Sequence, residues 1–66
     1  MNTHYLLQFF EYRHLSPNMQ AVCKPFAYLV QSILELPDNP ERTHCLRKIL
    51  EARDCAMRAS TFKVES

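Results

Sequence analysis

The run Glu11-Tyr12-Arg13-His14-Leu15-Ser16, with Lys24 twelve residues beyond Tyr12, gathers an aromatic ring, a guanidinium and an ammonium near one helix junction. That set suits a nucleotide ligand, because a base stacks on the ring while the cations meet phosphate oxygens. The same residues have a plainer use: Tyr12 can act as an apolar staple closing the junction, and Arg13 as a surface charge.

Other chemistries find less support. A metal centre would draw on Cys23, Cys45, Cys55, His4, His14 and His44, yet no pair falls at the i, i+3 or i, i+4 spacing that puts two ligands on one helix face, and no CxxC occurs. Neither a metal nor a cofactor is expected. Cys45 falls on an apolar stripe, where a thiol behaves as a small hydrophobe. A Cys–His nucleophile would lack any visible oxyanion-binding element, so no catalysis is expected. Glu51 and Asp54 lie among Arg47, Lys48, Arg53 and Arg58 and read as a solvated, salt-bridged face, with Asp54 and Arg58 in the favourable i, i+4 order. Glu41 complements a helix dipole.

The elements that must position these groups are helical. Ser16-Pro17 and Asn39-Pro40 each pair a capping side chain with a proline that has no N–H to leave unsatisfied. After Ser16, the residues Met19, Val22, Phe26, Leu29, Ile33 and Leu36 form one apolar stripe, which predicts a helix over 16–36. After Asn39, a stripe of Cys45, Ile49, Ala52, Ala56 and Ala59, flanked by Leu46, Leu50 and Met57, predicts a second over 40–59. The short segment between them forces an antiparallel hairpin. Pro25 inside the first helix predicts a kink. Residues 1–14 read as a short N-terminal helix whose apolar Tyr5, Leu6, Leu7, Phe9, Phe10 and Tyr12 exceed what a lone hairpin can cover; they are expected to make an oligomer contact, or else to fold back as the third helix of a monomer. Residues 60–66 read as a tail. The fold class is therefore all-α: a short N-terminal helix, then a helical hairpin, assembled as a homo-oligomer in one 1–66 domain.

Composition bounds the rest. Sixty-six residues at 47% hydrophobic and 23% charged are too apolar for disorder and too few for a large core. With an odd three cysteines, self-association is the expected supplement. The absence of glycine excludes a P-loop or dinucleotide fingerprint. There is no basic n-region and no run long enough to span a bilayer, so an intracellular chain without a membrane partner is expected. A net charge of +1 disfavours a DNA or RNA partner.

Taken with the chain between them, Tyr12-Arg13-His14-Leu15-Ser16 leading into a helix, Glu41-Arg42-Thr43 opening the next, its Leu46, Lys48, Leu50, Glu51-Ala52, Ala56 and Arg58-Ala59, and the closing Ser60-Thr61-Phe62 resemble the helical-hairpin domain of phage anti-CBASS and anti-Thoeris proteins. These are cyclic-nucleotide sponges. The resemblance covers roughly residues 11–62. It implies a homo-oligomer, commonly a hexamer, that sequesters bacterial immune second messengers in the cytoplasm of the infected host and leaves them intact. By similarity, Tyr12 would stack on a base, Lys24 would contact a phosphate, Arg13 would assist or hold the oligomer, and Arg58 and Thr61 would help line a separate pocket for larger cyclic oligonucleotides. Lys24 stands about one helical turn, roughly 5.4 Å, nearer its tyrosine than the family's lysine does, and Pro25 follows it directly. A two-fold interface could present Tyr12 and Lys24 from two subunits to the equivalent halves of a cyclic dinucleotide. The alternative from the residues is a small helical adaptor that binds a host protein through its apolar N-terminal stripe.

Overall fold

A computed structural model describes residues 4–62. All its regular elements are helical: a single turn α1 (His4–Leu7) continued by a 3-10 turn (Gln8–Phe10), then α2 (Pro17–Ile33) and α3 (Pro40–Thr61). Both capping signals act as their residue types dictate. The Ser16 hydroxyl accepts from the backbone N–H of Met19 at 3.4 Å, and Asn39 Oδ1 accepts from that of Arg42 at 2.9 Å. Pro17 and Pro40 each open their helix. α2 runs unbroken through Pro25, which faces solvent, as does Ala21, whose carbonyl the proline ring leaves without an amide donor.

Element boundaries differ from the sequence reading. The N-terminal helix expected over 1–14 is a single α turn and a 3-10 turn, and the chain from Glu11 to Ser16 is non-helical; residues 1–3 and, in the expected tail, 63–66 lie outside the described residues. α2 stops at Ile33 rather than 36, because Glu35 and Leu36 donate to Ser32 and Ile33 in tightened turns. α3 continues past 59 to Thr61.

The reversal between α2 and α3 is held from the far side. Arg42, in the first turn of α3, donates through Nη1 to the carbonyls of Leu34 (3.2 Å) and Leu36 (2.9 Å), and its Nη2 lies 3.1 Å from Asp38 Oδ1. A guanidinium thereby satisfies carbonyls that the end of α2 cannot.

The core lies where the N-terminal segment crosses the hairpin. Leu6, Phe10, Val30, Leu46 and Ile49 are buried together, and Leu46 is wholly so. The expected stripes meet this core in part. On α2 the buried positions are Cys23 and Val30, and on α3 Thr43, Leu46 and Ile49; of the expected stripes Phe26, Ile33 and Cys45 pack against this core, while Leu29, Leu36 in the reversal, Ala52 and Ala59 are exposed. The N-terminal segment contributes Leu6 and Phe10 to the same cluster as Val30, Leu46 and Ile49. Asp54 does not pair with Arg58 as expected, but with its neighbour Arg53, Nη2 to Oδ1 at 2.8 Å.

Candidate functional site

Two side chains shape the segment that carries Tyr12 and Arg13. Glu11 Oε1 accepts from the backbone N–H groups of Tyr12 and Arg13, each at 3.0 Å, folding the chain around its own carboxylate. Those bonds favour the charged form, so the Glu11 carboxyl is held below its ordinary value of 4.5, chiefly by the Arg13 N–H. From α2, Gln20 Nε2 donates to the carbonyls of Leu15 (2.7 Å) and Arg13 (3.2 Å). The segment is thus tied to the first turns of α2, and a further turn, Leu15 N–H to the Tyr12 carbonyl at 3.0 Å, completes it.

So held, Tyr12 and Arg13 line one groove of about 250 Å³ between the N-terminal segment and α2, with Leu7 and Phe10 on one wall and Ala27 and Gln31 on the other. Tyr12 is half-buried. The Arg13 side chain is 83% exposed and approaches Glu11 only to 4.0 Å, so its donors remain available to a ligand. Lys24 does not line this groove. It shares the helical row of Ala27 and Gln31, about one turn of 5.4 Å before the groove wall, and its Nζ stands 5.7 Å from the centroid of the Tyr28 ring.

Arg58 and Thr61 lie apart from Tyr12, on the last turns of α3. Arg58 Nη2 is 3.3 Å from Cys55 Sγ, and the Thr61 hydroxyl donates back to the carbonyls of Arg58 (3.3 Å) and Met57 (3.5 Å). Across the N-terminal segment from the Tyr12 groove, a second groove of about 280 Å³ is lined by Phe9, Glu11, His14, Arg53 and Met57. Arg53 anchors it, donating to the Phe9 carbonyl and facing the Phe10 ring. Among the described residues no group of three or more His, Cys, Asp or Glu side chains is placed to hold a metal ion, and no helix is long and apolar enough to cross a membrane.

Compared with known proteins, the chain matches no family model, no curated protein and no solved structure. The site is therefore argued from its residues alone. Of these, Gln20, Ala27 and Gln31 were not singled out from sequence. Gln20 could have been, since a glutamine in the first turn of a helix is placed to reach back to the chain entering it; Ala27 and Gln31 carry no local signal, because their role depends on where the N-terminal segment lands.

Proposed function

We propose that the chain is a non-enzymatic module that binds and sequesters cyclic nucleotide second messengers, cyclic di- or trinucleotides or cyclic ADP-ribose type signals, as a phage anti-defence sponge in the cytoplasm of an infected bacterium. The observation that carries this reading is the convergence of Tyr12 and Arg13 on one groove. A half-buried ring offers a stacking face, and a guanidinium with free donors stands beside it for a phosphate. Lys24, one turn away on the groove's own helical row, would swing from Tyr28 to a second phosphate oxygen.

A volume of about 250 Å³ falls just below the ~300–1,000 Å³ usual for small-molecule pockets. One chain would thus hold part of a cyclic dinucleotide, and a groove from another chain would complete the site. This supports a homo-oligomer. Arg58 and Thr61 would belong to a different pocket, completed by a neighbouring chain. Neither a nucleic acid nor a membrane is a partner in this reading.

The test is retention. The purified protein is mixed with a panel of cyclic oligonucleotides and cyclic ADP-ribose isomers, stripped of unbound ligand, heat-denatured, and the released compound identified by chromatography. One compound recovered intact is the expected result. A cleaved product would replace the sponge with an enzyme, and no retention at all would leave the reading as an adaptor for a host protein, for which the 49% exposed Phe9 is the favouring observation.

A further inference from the structure

Beside the residues of α2 that line the Tyr12 groove, one aromatic side chain stands in solvent. Tyr28 keeps 60% of its surface exposed and takes no part in the core cluster. Lys24 Nζ lies 5.7 Å from the centroid of its ring, within the ~6 Å over which a cation and a ring attract. A ring beside a cation is also what Tyr12 and Arg13 bring to the groove.

The two pairs flank one strip of helix. At about 100° per residue and with Ala27 as origin, Gln31 lies at about 40°, Lys24 at about 60° and Tyr28 at about 100°, while the buried Val30 lies about 60° the other way. Gln20, which reaches the carbonyls of Arg13 and Leu15, falls at about 20° in the same frame, so the segment carrying Arg13 enters over this side of α2. A ligand passing outward from Tyr12 and Arg13 therefore meets first Ala27 and Gln31, then Lys24 and Tyr28. From the midline of Ala27 and Gln31 to Tyr28 is about 80° of arc, or about 8 Å on a helix of ~5–6 Å radius with its side chains. Ala27 raises only a methyl group on this strip, and the exposed Gln31 offers an amide donor and acceptor to a base edge.

We infer that Tyr28 is a second base-stacking surface of the Tyr12 site, and that the ligand using both rings is a cyclic dinucleotide. The inference rests on the reading of the Tyr12 groove as a nucleotide site and commits that reading to a ligand with two bases. With the groove's own width added to the strip, Tyr12 and Tyr28 stand too far apart to enclose one base, which spaces a stacked neighbour by only about 3.4 Å. They suit two bases splayed apart, each on its own ring. Arg13 and Lys24 then match the two phosphates that join the bases. Lys24 couples the two events, because its ammonium uncovers the Tyr28 ring as it turns to a phosphate. Cyclic ADP-ribose carries two phosphates but one base, and would leave Tyr28 bare. One chain thus offers each base a ring, and a neighbouring chain completes the enclosure.

The test is calorimetric titration of the full chain with cyclic di-AMP, cyclic di-GMP and cyclic ADP-ribose, for the wild type, Tyr28→Ala, Tyr28→Phe and Tyr12→Ala, each checked for helicity by circular dichroism. The wild type should bind at least one of the cyclic dinucleotides. Tyr28→Ala should weaken that binding roughly 5- to 150-fold, Tyr28→Phe should retain most of it, and any binding of cyclic ADP-ribose should be unchanged in both. A merely structural role for Tyr28 would not shift the preference between ligands, so equal losses for the two ligand types overturn the inference. Binding that falls with Tyr12→Ala but not with Tyr28→Ala, or a wild type that takes only cyclic ADP-ribose, overturns the second stacking surface and leaves the nucleotide site standing. A wild type that binds none of the three also overturns it, and retention on the wider panel then decides the nucleotide site separately.

Discussion

The Arg53 guanidinium stands 5.6 Å from the centroid of the Phe10 ring while donating to the carbonyl of Phe9. One side chain of α3 therefore grips two consecutive residues of the N-terminal segment, and it is itself held by Asp54 through Nε and Nη2. Replacing Arg53 by Met keeps most of the apolar stem but removes a charge-assisted hydrogen bond and a ring contact, together about 1–3 kcal/mol. Urea unfolding should show a loss of that size, and amide exchange at residues 8–13 should accelerate. An unchanged midpoint with unchanged exchange would show that the apolar contacts of Leu6 and Phe10 suffice to dock the segment.

Tyr12 is the residue on which the ligand reading depends most. Stacking a base is worth about 1–3 kcal/mol, so Tyr12→Ala should weaken retention of the bound nucleotide roughly 5- to 150-fold, whereas Tyr12→Phe, which keeps the ring, should retain most of the affinity. Calorimetric titration of both variants separates the two. Equal affinities for Ala and Phe would remove stacking from the account.

Glu11 supplies a pH dependence whose sign is fixed. Its carboxyl is held below 4.5 by the N–H groups it accepts from, so the contribution it makes to local order is complete above 4.5 and is lost as the pH falls through the lower folded value. Amide protons of Tyr12 and Arg13 should show this as accelerated exchange in acid, relative to a neutral-pH reference corrected for intrinsic rates. Glu11→Gln should give the same loosening at neutral pH and no further acid step.

Packing and surface charge should separate cleanly on α3. Leu46 has no exposed surface, so Leu46→Ala should cost about 2–5 kcal/mol, a large share of what a domain this small can possess. Two positions on, Lys48 pairs with Glu51 at 3.6 Å with both side chains more than half exposed, and Lys48→Ala should stay within about 0.5 kcal/mol. Thermal unfolding of the two variants side by side measures the contrast.

What was legible in the sequence was local. Ser16-Pro17 and Asn39-Pro40 announce helix starts because the capping bond and the proline ring act within one turn, and the antiparallel hairpin follows from the short reversal. What was not legible depended on the third element. Apolar spacing alone cannot tell which side of a stripe is covered, so it groups Leu29, Leu36, Ala52 and Ala59 with Phe26, Ile33, Cys45 and Ile49, although only these last four meet the core of the single chain. Arg53 was read as a surface charge, because nothing in its neighbours reveals that its stem is covered by the returning N-terminal segment. The Tyr12-Arg13 junction stood out by residue type, but Ala27 and Gln31 form a wall only once that segment is in place.

The clamp that Arg42 forms on the end of α2 ties the two helices together in time as well as in space. The carbonyls of Leu34 and Leu36 receive the guanidinium only when the first turn of α3 has formed and Asn39 has capped it. Neither helix end is finished without the other, and the isolated α2 segment would fray where the intact chain does not. The two helix ends at the reversal are therefore finished together, whereas at the open ends of the hairpin Ser60 Oγ meets Met19 Sδ only at 3.9 Å.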